Sequence, residues 1–277
     1  MWGVFFPLMA TYSTGMLQFN EMRGAIFDLD DTLLDNGPLD KPELWLHSRS
    51  RLAAVHEVAG DRGIEALSTL TETENGRAFV SASVHSLEGA VWNILFMKGL
   101  VESNEIDTSH PNFALVAEIA KKKNELHEVI IREHGSEVPG ASEFIKRLAA
   151  HGLADRMALA TNAIRRDVNI FLDKYQLHSY FPPERIISYE QVTRPKPDPQ
   201  CFELAFQTLG LPDDARPFVA GFEDNPRGIR SVKGAGLFSC VITTRLAATA
   251  PALLEAKPDL IADSYQEFAR ALAVPRL

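Results

Sequence analysis

The segment Phe27-Asp28-Leu29-Asp30-Asp31-Thr32 sets two carboxylates, Asp28 and Asp30, two residues apart directly after a short apolar run. A carboxylate is already ionised near neutral pH, so one of the pair can attack phosphorus in line with a leaving oxygen. The other can give that oxygen a proton and later take one from water. On this reading Asp28 is the nucleophile, Asp30 is the acid and base, and an aspartyl phosphate divides the reaction into two steps. Acidic residues after a strand also cap turns, and the pair by itself does not choose between the two roles.

Three further segments supply what such a reaction needs. Thr161-Asn162 offers a hydroxyl and an amide able to donate hydrogen bonds to phosphoryl oxygens, although either residue also suits a helix cap. Arg194-Pro195-Lys196-Pro197-Asp198-Pro199 stiffens the backbone around one lysine with three prolines. Attack of one anion on another is resisted by roughly 4 kcal/mol per pair of unit charges at 4 Å and an effective dielectric of 20, and an aimed Lys196 offsets part of that. The alternative is a solvated lysine in a surface turn. Gly221-Phe222-Glu223-Asp224-Asn225-Pro226 adds two carboxylates, which suits magnesium: the ion prefers oxygen ligands and keeps several waters, so Asp28, a backbone carbonyl and one or two more carboxylates suffice. Asp224 is expected as a direct ligand and Glu223 as one held directly or through water. Against this, Asp224 or Asn225 could cap a helix starting near Pro226.

The elements that would position these residues follow from the apolar pattern. Runs of strand length cover Gly24–Phe27, Met157–Ala160, Arg185–Ser188, Pro217–Gly221, Leu237–Ile242 and Leu260–Ala262. Helical patterns lie between them. Pro199–Leu209 puts Phe202, Ala205, Phe206 and Leu209 on one stripe, with Pro199 in the first turn and Gly210 as the stop, and Ser142–Ala150 ends in the same way at Gly152. Alternation of this kind predicts a doubly wound, mostly parallel α/β domain with its ligands at the carboxyl ends of the strands.

From Pro38 to about Glu137 the alternation stops, while Leu115, Ile119, Leu126, Val129 and Ile130 keep helical spacing. The expected organisation is an extension over residues 1–21, an α/β core over 22–37 and 137–277, and an inserted all-helical cap over 38–136. Asn36-Gly37-Pro38 and Val138-Pro139-Gly140 would serve as hinges. Within the cap, Lys98-Gly99 follows the helical stretch Leu87–Met97 and is a candidate substrate loop, though a lysine there also complements a helix dipole. His47, His56, His85 and His127 could contact substrate, but lone histidines more often read as surface or cap-packing residues.

Composition limits the partners. Among 277 residues, 28 Lys and Arg face 37 Asp and Glu, a net charge of -9 that repels nucleic acid and anionic membranes. The basic run Lys121-Lys122-Lys123 reads as a solvated helix face. Cys201 and Cys240 read as packing thiols in a reducing compartment, and the expected location is cytoplasmic. The apolar stretch Trp2–Ala10 has no Lys or Arg before it and falls short of a bilayer span. Residues 1–21 read as a loose extension, with Met16 and Met22 as alternative starts. A monomer or homodimer acting on a small phosphorylated metabolite is expected.

Taken in this order and spacing, the four segments resemble those of the haloacid dehalogenase superfamily, in the subgroup with a helical cap inserted after the first strand. The resemblance runs from about Arg23 to Phe268. It implies Asp28 as nucleophile, Asp30 as acid, base and backbone-carbonyl metal ligand, Thr161 as phosphate contact, Lys196 as charge neutraliser, and Asp224 with Glu223 at a magnesium ion. Dehalogenases in the superfamily lack the second acid, so Asp30 favours phosphoester chemistry. Phe222-Glu223-Asp224-Asn225 and Lys123-Asn124-Glu125-Leu126 look like β-phosphoglucomutases and their sugar-phosphatase relatives. However, Gly37-Pro38-Leu39-Asp40 carries aspartate where that mutase group often has histidine. A phosphatase is therefore the first expectation and a sugar-phosphate mutase the second. A phosphate-ligand binding protein without turnover is the third, and it is disfavoured because no member of the constellation is missing.

Overall fold

A strand buried on both faces must be apolar throughout, and Gly24–Phe27 meets that condition at every position. In the computed structural model, which describes residues 17–38, 40–84 and 86–276, this run is β1. The remaining strands are β2 (Leu34–Asp35), β3 (Ser136–Glu137), β4 (Met157–Ala160), β5 (Ile186–Ile187), β6 (Val219–Glu223), β7 (Phe238–Ile242) and β8 (Leu260–Ala262). Six of them form one sheet in the order β5-β4-β1-β6-β7-β8, every neighbouring pair parallel. The doubly wound α/β core expected from the alternating pattern is thus the fold observed.

Two of the expected strands are shifted. Pro183–Arg185 closes a short 3-10 turn, so only Ile186–Ile187 remains in the sheet. Pro217, which has no N–H to give a ladder, lies inside a 3-10 segment (Asp213–Phe218), and β6 starts at Val219 and runs on to Glu223. The second shift matters because it makes Glu223 the last residue of a strand.

Register then decides which side chains meet. Phe27 pairs with Leu159 on one side and with Phe222 on the other, so Asp28, one residue further, is level with Ala160 and Glu223. Parallel neighbours lie about 4.8 Å apart, which brings three strand ends within side-chain reach. The Phe27 and Phe222 rings stack at 4.7 Å and 10°, and Phe144 meets both edge-on, at 6.5 and 5.5 Å. Each such aromatic pair adds about 0.5–1.5 kcal/mol beyond the area it buries, and here it fixes the residues immediately preceding Asp28 and Glu223.

The chain divides into two compact units. The first holds the sheet and its flanking helices. Phe19 N–H donates to the Leu272 carbonyl at 2.7 Å and Leu17 is buried, so residues 17–21 pack on this unit. The expectations for Trp2–Ala10, Met16 and His85 lie outside the described residues. The second unit comprises Leu34–Ser136 together with Arg166–Tyr175, a helical stretch that the sequence pattern places with the core.

Its main helices are Leu46–Arg62, Glu72–Val80, Leu87–Met97 and Phe113–His134, packed around Val55, Trp92, Leu95, Val116 and Ile119. On Phe113–His134 the buried stripe runs through Val116, Ile119, Ala120, Lys123, His127 and Ile131, and Val129 is 47% exposed. Lys123 is therefore no member of a solvated face. It is buried, its ammonium lies 3.0 Å from His47 Nδ1, and the His47 ring stacks on that of buried His127 at 4.4 Å. Burial, followed by the charges of His47, Lys123 and Arg166, lowers the His127 pKa strongly. Both thiols are buried and free, as packing residues should be. No helix among the described residues is long and apolar enough to cross a membrane.

Candidate active site

Asp28 leaves β1 with its N–H bonded to the Phe222 carbonyl at 3.0 Å, so its backbone still follows the sheet. Its side chain meets the Lys196 ammonium, which is 2.6 Å from Asp28 Oδ1, 2.6 Å from Glu223 Oε1 and 2.8 Å from the Ala160 carbonyl. Lys196 thereby donates to the ends of β1, β4 and β6 at once. The Phe202 ring lies 4.8 Å from the same nitrogen.

The loop that carries Lys196 is pinned at several points, and its Lys196-Pro197 peptide is cis. Arg227 donates to the Lys196 carbonyl at 2.6 Å, Ser231 Oγ donates to the Asp198 carbonyl at 2.6 Å, and Arg194 pairs with Asp198 at 2.8 Å. The three prolines are thus helped by contacts from the helix Pro226–Gly234. The Arg227 contact has no signature in the motif itself.

Asn225, not Asp224, caps that helix: its Oδ1 accepts the Arg227 and Gly228 N–H groups at 3.1 and 3.0 Å. Its amide nitrogen donates to Asp224 Oδ1 at 2.7 Å and to Glu223 Oε2 at 3.2 Å. The cap therefore frees Asp224 and orients both acids. Asp28, Glu223 and Asp224 form a cluster whose ligand atoms lie within 4.8 Å of one another, each side chain buried.

Three carboxyls buried together hold protons more firmly than the same groups in water. Burial is the largest cause of the raised Asp28 pKa, opposed by Lys196 and reinforced by Asp30. Burial likewise pushes Glu223 up to about 7 against the pull of Lys196, and raises Asp224, with Glu223, Asp28 and Asp31 adding to it. Burial alone would discharge Lys196, but Asp28 and Glu223 more than offset it and its pKa is raised.

Glu223 has little room to move. A Cβ on Gly228 would lie 1.8 Å from Glu223 Cδ, so only glycine fits at that helix position. Replacing a helical glycine by alanine ordinarily stabilises by about 1 kcal/mol. Gly228→Ala is expected to do the reverse, costing about 1–3 kcal/mol as an overpacked site does, and to lower activity by displacing Glu223. Thermal melting with a parallel rate assay checks this, and a variant that is both more stable and fully active would refute it.

The other expected site residues are less concentrated. Asp30 is half-buried and close enough to Asp28 to raise its pKa. Thr161 is buried, and its Oγ1 accepts the Ala163 N–H at 3.0 Å, which leaves its hydroxyl hydrogen to donate elsewhere. Asn162 is exposed. Lys98 belongs to the helical unit, where its ammonium lies 2.9 and 3.0 Å from the two Glu74 carboxylate oxygens. Glu74 also completes a capping box with Thr71, so the contacts of Lys98 are those of a residue fastening two helices. His56 Nε2 lies 2.9 Å from the Leu70 carbonyl, a packing contact.

The model of the haloacid dehalogenase-like hydrolases matches residues 22–236. The protein CbbY of Rhodobacter capsulatus is 33% identical over 135 residues, which cover 47% of this chain and only 56% of that protein. A phosphorylated carbohydrates phosphatase of Thermotoga maritima is 27% identical over 78% of this chain and 82% of its own length. Among solved structures, a Thermotoga maritima protein named as a candidate beta-phosphoglucomutase superposes with a TM-score of 0.62 at 26% identity, covering 91% of this chain and 98% of that one.

Proposed function

The chain belongs to the haloacid dehalogenase-like hydrolases, and on that premise we propose that it is a magnesium-dependent phosphatase acting on a small phosphomonoester through an aspartyl phosphate on Asp28. The observation that carries this reading is the Lys196 ammonium 2.6 Å from Asp28, inside a buried cluster with two further carboxylates. A nucleophile, a fixed positive charge and an acidic oxygen cluster gathered at strand ends suit an anionic substrate and a hard cation better than any structural role.

The residues present fit magnesium. Asp28, Asp224 and the Asp30 carbonyl would hold it, and its charge would neutralise phosphoryl oxygens. Glu223 suits an outer place, because its oxygens already accept from Lys196, Asp224 N–H and Asn225. Asp30 gives its proton to the leaving oxygen and then takes one from the water that attacks the acylphosphate. Thr161 directs its hydroxyl hydrogen at a phosphoryl oxygen. Lys98, tied to Glu74, is left out of this reading.

A panel of hexose phosphates, phosphoglycolate and nucleoside monophosphates, assayed with magnesium and with chelator, tests it. Turnover that requires the cation is expected, with phosphorylated sugars favoured by the likeness to the Thermotoga phosphatase. Protons and cation compete for Asp28 and Asp224, whose pKa values burial raises, so the magnesium needed for half-maximal rate should fall as pH rises. Full activity in chelator would end the magnesium assignment. The likeness to the candidate beta-phosphoglucomutase favours one second reading, a mutase. Efficient conversion of β-glucose 1-phosphate to glucose 6-phosphate with a bisphosphate primer would put it first.

A further inference from the structure

Asp31 follows the candidate acid Asp30 and holds a left-handed backbone, with φ at 60°. Residues with a Cβ adopt that region only under constraint, although aspartate tolerates it better than most. The constraint comes from the loop after β7, more than two hundred residues away. Arg245 grips the Asp31 carboxylate with two nitrogens, Nη2 at 2.6 Å from Oδ1 and Nε at 2.6 Å from Oδ2. Thr244 Oγ1 donates to the Asp31 carbonyl at 2.6 Å. The segment is tied down beyond Asp31 as well: Thr32 and Leu33 N–H both donate to the Leu29 carbonyl, and Tyr265 hydroxyl donates to the Thr32 carbonyl at 2.8 Å.

We infer that Arg245, assisted by Thr244, is a positioning residue for Asp30. The peptide unit joining residues 30 and 31 is shared between them. Its plane sets φ of Asp31 and ψ of Asp30, and it carries the Asp30 carbonyl. Holding Asp31 by its side chain and its carbonyl therefore fixes where the Asp30 carboxyl and carbonyl point. A two-point guanidinium–carboxylate contact resists rotation in a way that one bond does not. The inference rests on the reading of Asp30 as the group that protonates the leaving oxygen. A misplacement near 1 Å can cost such a group about 100-fold.

The test uses leaving groups that differ in their need for a proton. With enzyme in excess, release of the alcohol is followed for an alkyl phosphate and for 2,4-dinitrophenyl phosphate, whose phenolate departs unprotonated. Arg245→Ala is expected to slow the alkyl ester by about 100-fold and the dinitrophenyl ester by less than about threefold. In an Asp31→Gly background, where glycine takes the left-handed backbone without a clamp, the same substitution should add less than about twofold. Asp31→Asn, which keeps the shape and removes the charge, should show the same selective loss, and it carries the comparison if Arg245→Ala does not fold. Equal slowing of both esters, wild-type rates on both, or an undiminished effect beside Asp31→Gly would each overturn the inference. Asp30→Asn separates the two readings. If it lacks the selective loss, the proton-donor role and this inference fall together. If it shows that loss and Arg245→Ala does not, only the role of Arg245 falls.

Discussion

Asp28→Asn is expected to lose turnover by about 10⁴-fold or more, the scale seen when a nucleophile is removed from a group of residues that act together. It should keep the fold. The amide has nearly the volume of the carboxylate, and its oxygen can still accept from Lys196, which retains Glu223 at 2.6 Å as an ionic partner. Burial makes the Asp28 charge unfavourable, and Lys196 only partly offsets this, so the variant should melt at or slightly above the wild-type temperature. Loss of rate without loss of stability is the signature of a group retained for chemistry. The readouts are the rate of phosphate release, the melting temperature, and acid-stable labelling of the protein by substrate, which should vanish. Activity within about tenfold of wild type would place the nucleophile elsewhere.

Much of this site was legible because each of its parts lies at the end of an apolar run, where a parallel sheet delivers side chains to one edge. Asp28, Lys196, Glu223 and Asp224 come together as the motifs imply. What the pattern could not carry is contact between distant loops. The Asp31–Arg245 clamp joins residues 214 positions apart, and the grip of Arg227 on the Lys196 carbonyl depends on how a helix end meets a proline turn. Neither has a periodicity to betray it. Asn225 is legible as a cap but not as the residue that frees Asp224, a role visible only once its oxygen is seen on the helix and its nitrogen on the acids.

The helical unit shows a different limit. Lysine is so rarely buried that Lys123 reads as solvated by default. Its position on the stripe between Ile119 and His127 was a signal that helical spacing already contained. Residues 166–175 show why unit boundaries are harder to read than elements. A helix is encoded locally, but which unit it packs with depends on the face it buries, and Asp167 of this helix lies 3.9 Å from His127.

Lys196→Met should be strongly destabilising although it leaves the apolar core intact. Lys196 is 4% exposed, and its ammonium makes all three of its hydrogen bonds to buried acceptors. Methionine fills a similar volume but leaves Asp28, Glu223 and Asp224 facing one another. Removing one partner of a buried ion pair costs about 3–5 kcal/mol. For a chain of this size that lowers the melting temperature by roughly 6–20 °C. The pH dependence identifies the cause. Carboxyls with raised pKa bind more protons folded than unfolded, so stability falls as pH rises from about 4, their unfolded value, through the folded value, already about 7 for Glu223 with Lys196 present. Protons can stand in for the lost ammonium at low pH. The gap between wild type and variant should therefore be small near pH 5 and widest above pH 7, while turnover falls by about 10²–10³-fold even where the variant is folded. A gap that does not change with pH would mean that Lys196 contributes packing and hydrogen bonds but no charge compensation, and a variant as stable as wild type at pH 8 would remove the electrostatic account of this cluster altogether.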